Sequence, residues 1–146
     1  MNYQSIEILL VEDSSQDAEM TLRTLKKRSI ANNIEWVKDG VEAIDFLFGE
    51  GAYAGRTNGQ PKLVLLDMKM PRMDGLQVLA RMKSDERTQS IPVVMMTSSR
   101  EEGDLLASYK LGVNSYVVKP VNFDEFAEIV AQIGMYWLLA NQAPRV

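Results

Sequence analysis

Short apolar runs and helix-like segments alternate five times along the chain. The apolar runs are Ile6–Val11, Ile34–Val37, Leu63–Leu66, Ile91–Met96 and Tyr116–Val118. Each run is followed by an Asp, Ser or Asn that can cap a helix, with an acidic or amide side chain about three residues further on. Strands that alternate with helices form parallel βαβ units. We therefore predict a doubly wound α/β fold, an open five-stranded parallel sheet with helices on both faces.

The helix-start signals assign a cap to each predicted helix. In chain order they are Asp13 or Ser14 with Gln16 or Asp17, Asp39 with Glu42, Asp74 with Gln77, Ser98 or Ser99 with Glu101 or Glu102, and Asn122 with Glu125. In the last helix, apolar residues at helical spacing predict the face that packs on the sheet. These residues are Phe126, Val130, Ile133 and Trp137.

Length and composition limit the class of protein. The 146 residues, 46% of them hydrophobic, are enough for one domain over 1–146, with a core at about 4–134 and a helix extension and tail at 135–146. No apolar stretch reaches the length of a bilayer span, so we expect a soluble, cytoplasmic protein. The chain has no Cys and no His, which excludes thiol chemistry and histidine acid–base catalysis. The net charge of -4 argues against nucleic-acid binding.

One connection is longer than the others. Residues 49–61, "GEGAYAGRTNGQP", contain four glycines and no hydrophobic period. A glycine-rich phosphate loop leaves a strand and opens a helix, whereas this segment leaves a helix and enters a strand. We expect a mobile surface insertion.

The candidate site residues follow the predicted strands. In an open parallel sheet, ligands bind outside the carboxyl ends of the strands. Asp67 caps no obvious helix, because Pro71 intervenes before the next helix-start signal. The polar residues at these ends are Glu12, Asp13, Asp67, Thr97 and Lys119, the last followed by Pro120.

Three of these residues are carboxylates that should share one small cleft. Two unit charges about 4 Å apart repel by roughly 4 kcal/mol at an effective dielectric constant of 20, so protonation or a cation must neutralise two of the three. Carboxylate and carbonyl oxygens suit Mg²⁺. With Lys119 as a second positive charge and Thr97 as a hydroxyl donor, the set favours transfer of a phosphoryl group onto Asp67.

Two other classes of protein remain as alternatives. A phosphatase of the haloacid-dehalogenase type needs a second aspartate two positions after the first as general acid, and Lys69 occupies that position. A flavin-binding electron carrier needs a phosphate loop after the first strand, where "EDSSQD" would repel a phosphate. Both fit less well than phosphoryl transfer onto Asp67.

The residues Glu12, Asp13, Asp67, Thr97 and Lys119, with Pro71 and Gly75 after the aspartate, make the chain resemble the receiver domain of bacterial two-component response regulators. The resemblance covers almost the whole chain and implies a flavodoxin-like sheet in the order 2-1-3-4-5. It further implies that Asp67 is the phospho-acceptor and that the domain is not an enzyme beyond slow autodephosphorylation.

The resemblance also implies a role for each site residue. Mg²⁺ would bind Asp13, Asp67 and the main-chain carbonyl of Lys69 directly, and Glu12 through water. Thr97 would be the switch hydroxyl and Tyr116 the switch aromatic, and Lys119 would pair with the phosphoryl group. The Lys119–Pro120 peptide bond would be cis.

A narrower resemblance concerns the partners. The insertion, "SDERTQSIPVV", "LGVNSYVVKPV" and "MYWLLANQ" are similar to stand-alone regulators paired with phytochrome kinases. Without histidine, the phosphoryl donor must be another protein, a sensor histidine kinase. Only "NQAPRV" follows the fifth helix, so we expect output through protein contacts. Met135, Leu138 and Leu139 lie off the packed helix face, which favours a homodimer through the fourth helix, fifth strand, fifth helix and tail. The alternative is that the tail folds back on its own domain.

Overall fold

The fold is taken from a computed structural model, which describes residues 5–142. The strands are β1 (Ile8–Val11), β2 (Ile34–Val37), β3 (Leu63–Leu66), β4 (Val93–Thr97) and β5 (Ser115–Val118). The helices are α1 (Ser15–Lys27), α2 (Gly40–Phe48), α3 (Gly75–Lys83), α4 (Glu102–Lys110) and α5 (Phe123–Met135). A short 3₁₀ turn (Gly51–Tyr53) follows α2, and a π-helical turn (Tyr136–Ala140) continues α5. Residues 143–146 of the predicted tail lie outside the described residues.

All five strands are parallel and lie in the order β2-β1-β3-β4-β5, which confirms the predicted fold class. Val11 at the end of β1 is in register with Leu66 at the end of β3. The Asp67 N–H extends this ladder by donating to the Val11 carbonyl at 3.0 Å. The residues that follow β1 and β3 therefore meet at one edge of the sheet, where the strand order reverses.

The sheet is buried on both faces. One face packs against α1 and α5, and the other packs mainly against α2 and α3. Successive strand residues point to opposite faces, so Ile8 and Leu10 belong to the first core and Leu9 and Val11 to the second. This is why the central strands β1 and β3 are continuous apolar runs rather than alternating ones.

Four of the five predicted helix caps are confirmed. Ser14, Asp39, Asp74 and Asn122 each accept a hydrogen bond from the backbone N–H three residues further on. The fourth helix is different, because α4 begins at Glu102 and its N-cap residue makes no side-chain cap bond. Ser99 instead donates to the Asp104 carboxylate at 2.5 Å and accepts from the Glu101 N–H at 3.3 Å. The predicted cap at Ser98 or Ser99 was wrong because the Ser99 hydroxyl bonds to the side chain of Asp104, in the first turn of α4, instead of capping the helix.

The glycine-rich insertion makes side-chain hydrogen bonds to α2 and β2. The Arg56 guanidinium donates to the Phe46 carbonyl at 2.8 Å and to the Gln60 side chain at 3.0 Å. The Tyr53 hydroxyl donates to the Glu35 carboxylate at 3.0 Å. The carbonyls at the end of a helix have no partner within the helix, and Arg56 supplies one from the insertion.

The end of α5 departs from the predicted pattern at one residue. Met135 and Leu139 are exposed as predicted, but Leu138 is half-buried against the α1–α5 core. The cause is the π-helical turn, in which the Asn141 N–H donates to the Tyr136 carbonyl five residues back. A wider turn shifts the helical period and brings Leu138 toward the core.

Within the described part of the chain, no helix combines the length and the hydrophobicity that crossing a membrane requires.

Candidate functional site

Three carboxylates converge where β1 and β3 end. Glu12, Asp13 and Asp67 each place an oxygen within 4.8 Å of the others. Glu12 and Asp67 are buried and Asp13 is exposed. One Asp67 oxygen accepts from the Met68 N–H at 2.8 Å, which fixes the orientation of the carboxylate. The predicted acidic cluster is therefore present, with one open side.

Lys119 stands against this cluster from the end of β5. Its backbone N–H donates to the Thr97 carbonyl at 2.8 Å, which continues the β4–β5 ladder and directs the side chain into the site. The ammonium lies 2.7 Å from Glu12, 2.9 Å from Asp17 and 3.5 Å from Asp67. The Asp67 carboxylate is thus the most distant of its three partners.

Asp17 is the site residue that the sequence reasoning missed. It lies in the first turn of α1, where an acidic residue is explained by the helix dipole and by its place three residues after the cap. The sequence signal that could have identified Asp17 as a site residue is its position one helical turn after Glu12 and Asp13, at the same edge of the sheet.

The charges in the cluster shift two pKa values. Burial and the neighbouring Asp67 charge raise the pKa of Glu12 to about 7, although Lys119 and the Ser14 N–H act in the opposite direction. For Lys119, burial lowers the pKa, but the hydrogen bonds and charges of Glu12, Asp17 and Asp67 outweigh it and raise the pKa above its usual value. The ammonium therefore stays charged and offsets part of the mutual repulsion of the carboxylates.

The loop between β4 and α4 is joined to the site by hydrogen bonds. The Thr97 hydroxyl accepts from the Ser99 N–H at 3.2 Å, and the Tyr116 hydroxyl donates to the Ser99 carbonyl at 3.1 Å. Tyr116 is half-buried against the α2–α3 side of the core. Lys69 lies in the loop two residues after Asp67, and its exposed side chain lies 3.5 Å from the Asp104 carboxylate of α4.

Close backbone packing fixes the segment after Asp67. The Gly75 N–H donates to the Met68 carbonyl at 2.8 Å. A Cβ at Gly75 would lie 2.3 Å from the Asp67 carbonyl oxygen, so only glycine fits.

One backbone feature implied by the resemblance is not found. The described residues contain no cis peptide bond, so the Lys119–Pro120 bond is trans. The trans form is the one that a bond before proline intrinsically favours, by about 0.5–1 kcal/mol.

The donor set fits a divalent cation that prefers oxygen. Three carboxylates with one exposed member offer hard ligands and access from solvent. A cation here would also offset the burial and the Asp67 repulsion that together raise the pKa of Glu12.

Comparison with known proteins defines the class. The response regulator receiver domain family matches residues 8–131. The chain therefore belongs to the response regulator receiver family, whose members are signalling proteins that bind a divalent metal and work with histidine kinases.

Individual relatives narrow the comparison. The response regulator Rcp1 of Synechocystis sp. is 39% identical over 131 residues, covering 90% of this chain and 88% of its own. A probable methanogenesis regulatory protein, FilR2 of Methanothrix harundinacea, is also 39% identical, over 94% of this chain and 86% of its own.

Solved structures agree with this relationship. The phosphorylated cyanobacterial phytochrome response regulator RcpA superposes with a TM-score of 0.90 at 37% identity, over 97% of this chain and 99% of its own. The Mn²⁺-bound form of Rcp1 superposes with a TM-score of 0.88 at 37% identity, over 96% of this chain and 99% of its own. The chain is thus similar to phytochrome response regulators along nearly its full described length.

Proposed function

We propose that Asp67 accepts a phosphoryl group from the phosphohistidine of a sensor kinase. The observation that carries the proposal is the setting of the Asp67 carboxylate, which lies beside Glu12 and Asp13 and 3.5 Å from the Lys119 ammonium. In the reaction, an Asp67 oxygen forms a bond to phosphorus while the bond from phosphorus to the histidine nitrogen breaks. The imidazole leaves and an acyl phosphate remains on Asp67.

The metal of this reaction is Mg²⁺ in our proposal. Asp13, Asp67 and the main-chain carbonyl of Lys69 would hold it directly and Glu12 through water. When bound, Mg²⁺ supplies positive charge for the transferring phosphoryl oxygens. Lys119 would donate a hydrogen bond to one of these oxygens. Support comes from the fit of the carboxylate set to a hard cation and from the Mn²⁺-bound form of the related Rcp1.

Thr97 and Tyr116 would transmit the phosphorylated state. The Thr97 hydroxyl accepts a bond from Ser99, so its own proton is free to be donated to a phosphoryl oxygen. Movement of Thr97 would displace Ser99 and so break the hydrogen bond from the Tyr116 hydroxyl to the Ser99 carbonyl. Tyr116 would then turn inward, and the surface around α4 and β5 would change.

The phosphatase and flavin alternatives gain no support from the site. The Lys69 side chain, at the position of a phosphatase general acid, lies beside Asp104 on α4. The acidic residues after β1 surround the place that a flavin phosphate would occupy. The protein would therefore act as a phospho-acceptor rather than as an enzyme with turnover.

The finer identity of the partners is also part of the proposal. The similarity to RcpA favours a phytochrome kinase as the phosphoryl donor. Such a kinase takes its phosphoryl group from ATP, so we propose that the transfer takes place in the cytoplasm. A homodimer through α4, β5, α5 and the tail is supported by exposed apolar side chains on two of these elements. They are Leu105, Leu106 and Tyr109 on α4 and Met135, Tyr136 and Leu139 at the end of α5.

A small-molecule phosphoryl donor tests the proposed reaction. The chain is incubated with acetyl phosphate and Mg²⁺, and its intact mass is measured with and without a chelator. We expect one phosphoryl group per chain that needs the metal and is lost in Asp67→Asn. Asp74→Asn serves as a control, because Asp74 caps α3 outside the cluster. Phosphoryl gain that is equal in chelator, or that persists in Asp67→Asn, would reject the proposal.

A further inference from the structure

The Lys119 ammonium is shared between two groups of carboxylates. Glu12 and Asp67 belong to the acidic cluster, whereas Asp17 approaches the ammonium from α1 and is not a member of that cluster. The bond to Asp17 is short, at 2.9 Å, and the distance to Asp67 is longer, at 3.5 Å. An ammonium has three N–H donors, so a donor directed at Asp17 is not available to a group on Asp67.

Helix capping does not explain the position of the Asp17 carboxylate. The backbone N–H of Asp17 is capped by the Ser14 hydroxyl at 3.2 Å, and its carbonyl accepts from the Thr21 hydroxyl at 2.8 Å. Both of these bonds use the main chain. A favourable interaction with the helix dipole requires an acidic side chain in the first turn but no contact with a buried ammonium. The carboxylate is therefore available for a role at Lys119.

We infer that Asp17 is a positioning residue that competes with the phosphoryl group on Asp67 for Lys119. The inference rests on the proposed function, because it concerns the same acceptor. Before transfer, Asp17 and Glu12 draw the ammonium away from Asp67, which keeps the acceptor carboxylate open. After transfer, the phosphoryl oxygens must take Lys119 from Asp17. Asp17 thereby weakens the phosphorylated state of this site.

Two opposite effects on binding follow from this competition. In Asp17→Asn, Lys119 is released toward the cluster, so a phosphoryl-like anion on Asp67 should bind more tightly. The released ammonium also competes with a cation for Glu12 and Asp67, so Mg²⁺ alone should bind more weakly. We expect each change to be about fivefold, the size of one partly exposed ion pair.

Binding of beryllium trifluoride with Mg²⁺, and of Mg²⁺ alone, tests the inference. Both are followed by NMR through backbone amides and through the Trp36 indole N–H, which donates to the Glu12 carbonyl at 2.8 Å. The matched control is Glu19→Gln, which makes the same charge change at an exposed position of α1. We expect the fivefold changes in Asp17→Asn, partial recovery in Asp17→Glu and less than a twofold change in the control.

A double-mutant cycle shows whether the effect passes through Lys119. With Lys119→Met, Asp17→Asn should change binding no more than Glu19→Gln does, and an effect that persists would overturn the inference. If Lys119→Met does not fold, the NMR signal of the Lys119 side-chain ammonium is measured in the single variants instead of the cycle. That signal should shift in Asp17→Asn and stay in place in Glu19→Gln, and an unchanged signal is contrary to the inference.

The outcomes separate this inference from the proposed function. A wild-type chain that binds no beryllium trifluoride, or binds it equally well in Asp67→Asn, rejects the acceptor role of Asp67 and the competition with it. If the wild-type chain binds beryllium trifluoride at Asp67, but Asp17→Asn changes the affinities no more than Glu19→Gln does, only the role of Asp17 is rejected.

Discussion

Replacement of Gly75 by alanine should damage the fold and the acceptor together. The added Cβ would lie 2.3 Å from the Asp67 carbonyl oxygen and 2.9 Å from the Met68 Cα. Ordinary contacts need about 3.4 Å or more, so the start of α3 and the loop after β3 must separate by about 1 Å. Both neighbours are backbone atoms, and we expect a cost near the upper end of the 1–3 kcal/mol typical of overpacking, about 3 kcal/mol.

Thermal and urea unfolding measure this cost. For a domain of this size, 3 kcal/mol corresponds to a fall in Tm of roughly 10 °C. Because a misplacement of about 1 Å can cost about a hundredfold in rate, phosphorylation by acetyl phosphate should slow by at least tenfold.

The matched control for Gly75→Ala is Gly103→Ala. Gly103 lies in the first turn of α4, and a Cβ there would meet nothing within 4 Å. Alanine should stabilise this helix by about 0.5 kcal/mol and leave phosphorylation unchanged. If Gly75→Ala unfolds at the wild-type temperature and is phosphorylated at the wild-type rate, the packing argument for the acceptor loop is wrong.

Three further predictions concern the switch, the insertion and the dimer. Thr97→Ala should still accept phosphoryl but lose the near-UV spectral change that accompanies it, and a wild-type change would contradict the switch. Burial and the bond to Glu35 raise the pKa of Tyr53 from 10.0 to about 12. As the pH rises, the unfolded chain loses the Tyr53 phenol proton at a lower pH than the folded chain does. The free energy of unfolding should therefore fall between about pH 10 and 12. Tyr53→Phe should remove that part of the fall and cost about 1 kcal/mol at neutral pH, which urea unfolding at several pH values would measure. Leu139→Glu should shift a micromolar dimer toward monomer in light scattering, whereas Glu at the fully exposed Val121 should not; a monomeric wild type would reject the dimer.

The parts of the fold that follow local rules could be predicted from the sequence. The central strands β1 and β3 are continuous apolar runs because both faces of the sheet are covered there, and Leu63–Leu66 has the predicted bounds. The capping box at Asp74 and Gln77 is formed by two side chains three residues apart. Such features depend on neighbouring residues only, so a single sequence contains the information.

The missed features arise from contacts or helix geometry that the local sequence rules do not describe. Asp17 had a sufficient local explanation as a first-turn residue of α1, and its bond to Lys119 joins positions 102 residues apart. Leu138 was misassigned because the helical period changes at the π-helical turn. Ser99 was predicted to cap α4, but the approach of Asp104 and Tyr116 to the same residue gives it other partners.

The location of the phosphoryl group tests the central claim most directly. After phosphorylation with Mg²⁺, borohydride reduction converts the acyl phosphate of an aspartate to homoserine. Trypsin then releases residues 63–69, "LVLLDMK", whose one carboxylate side chain is that of Asp67, separately from residues 1–23, which contain Glu12, Asp13 and Asp17. We predict homoserine at position 67, formed only when the metal is present. Reduction in the 1–23 peptide, or at position 67 without metal, would contradict the account.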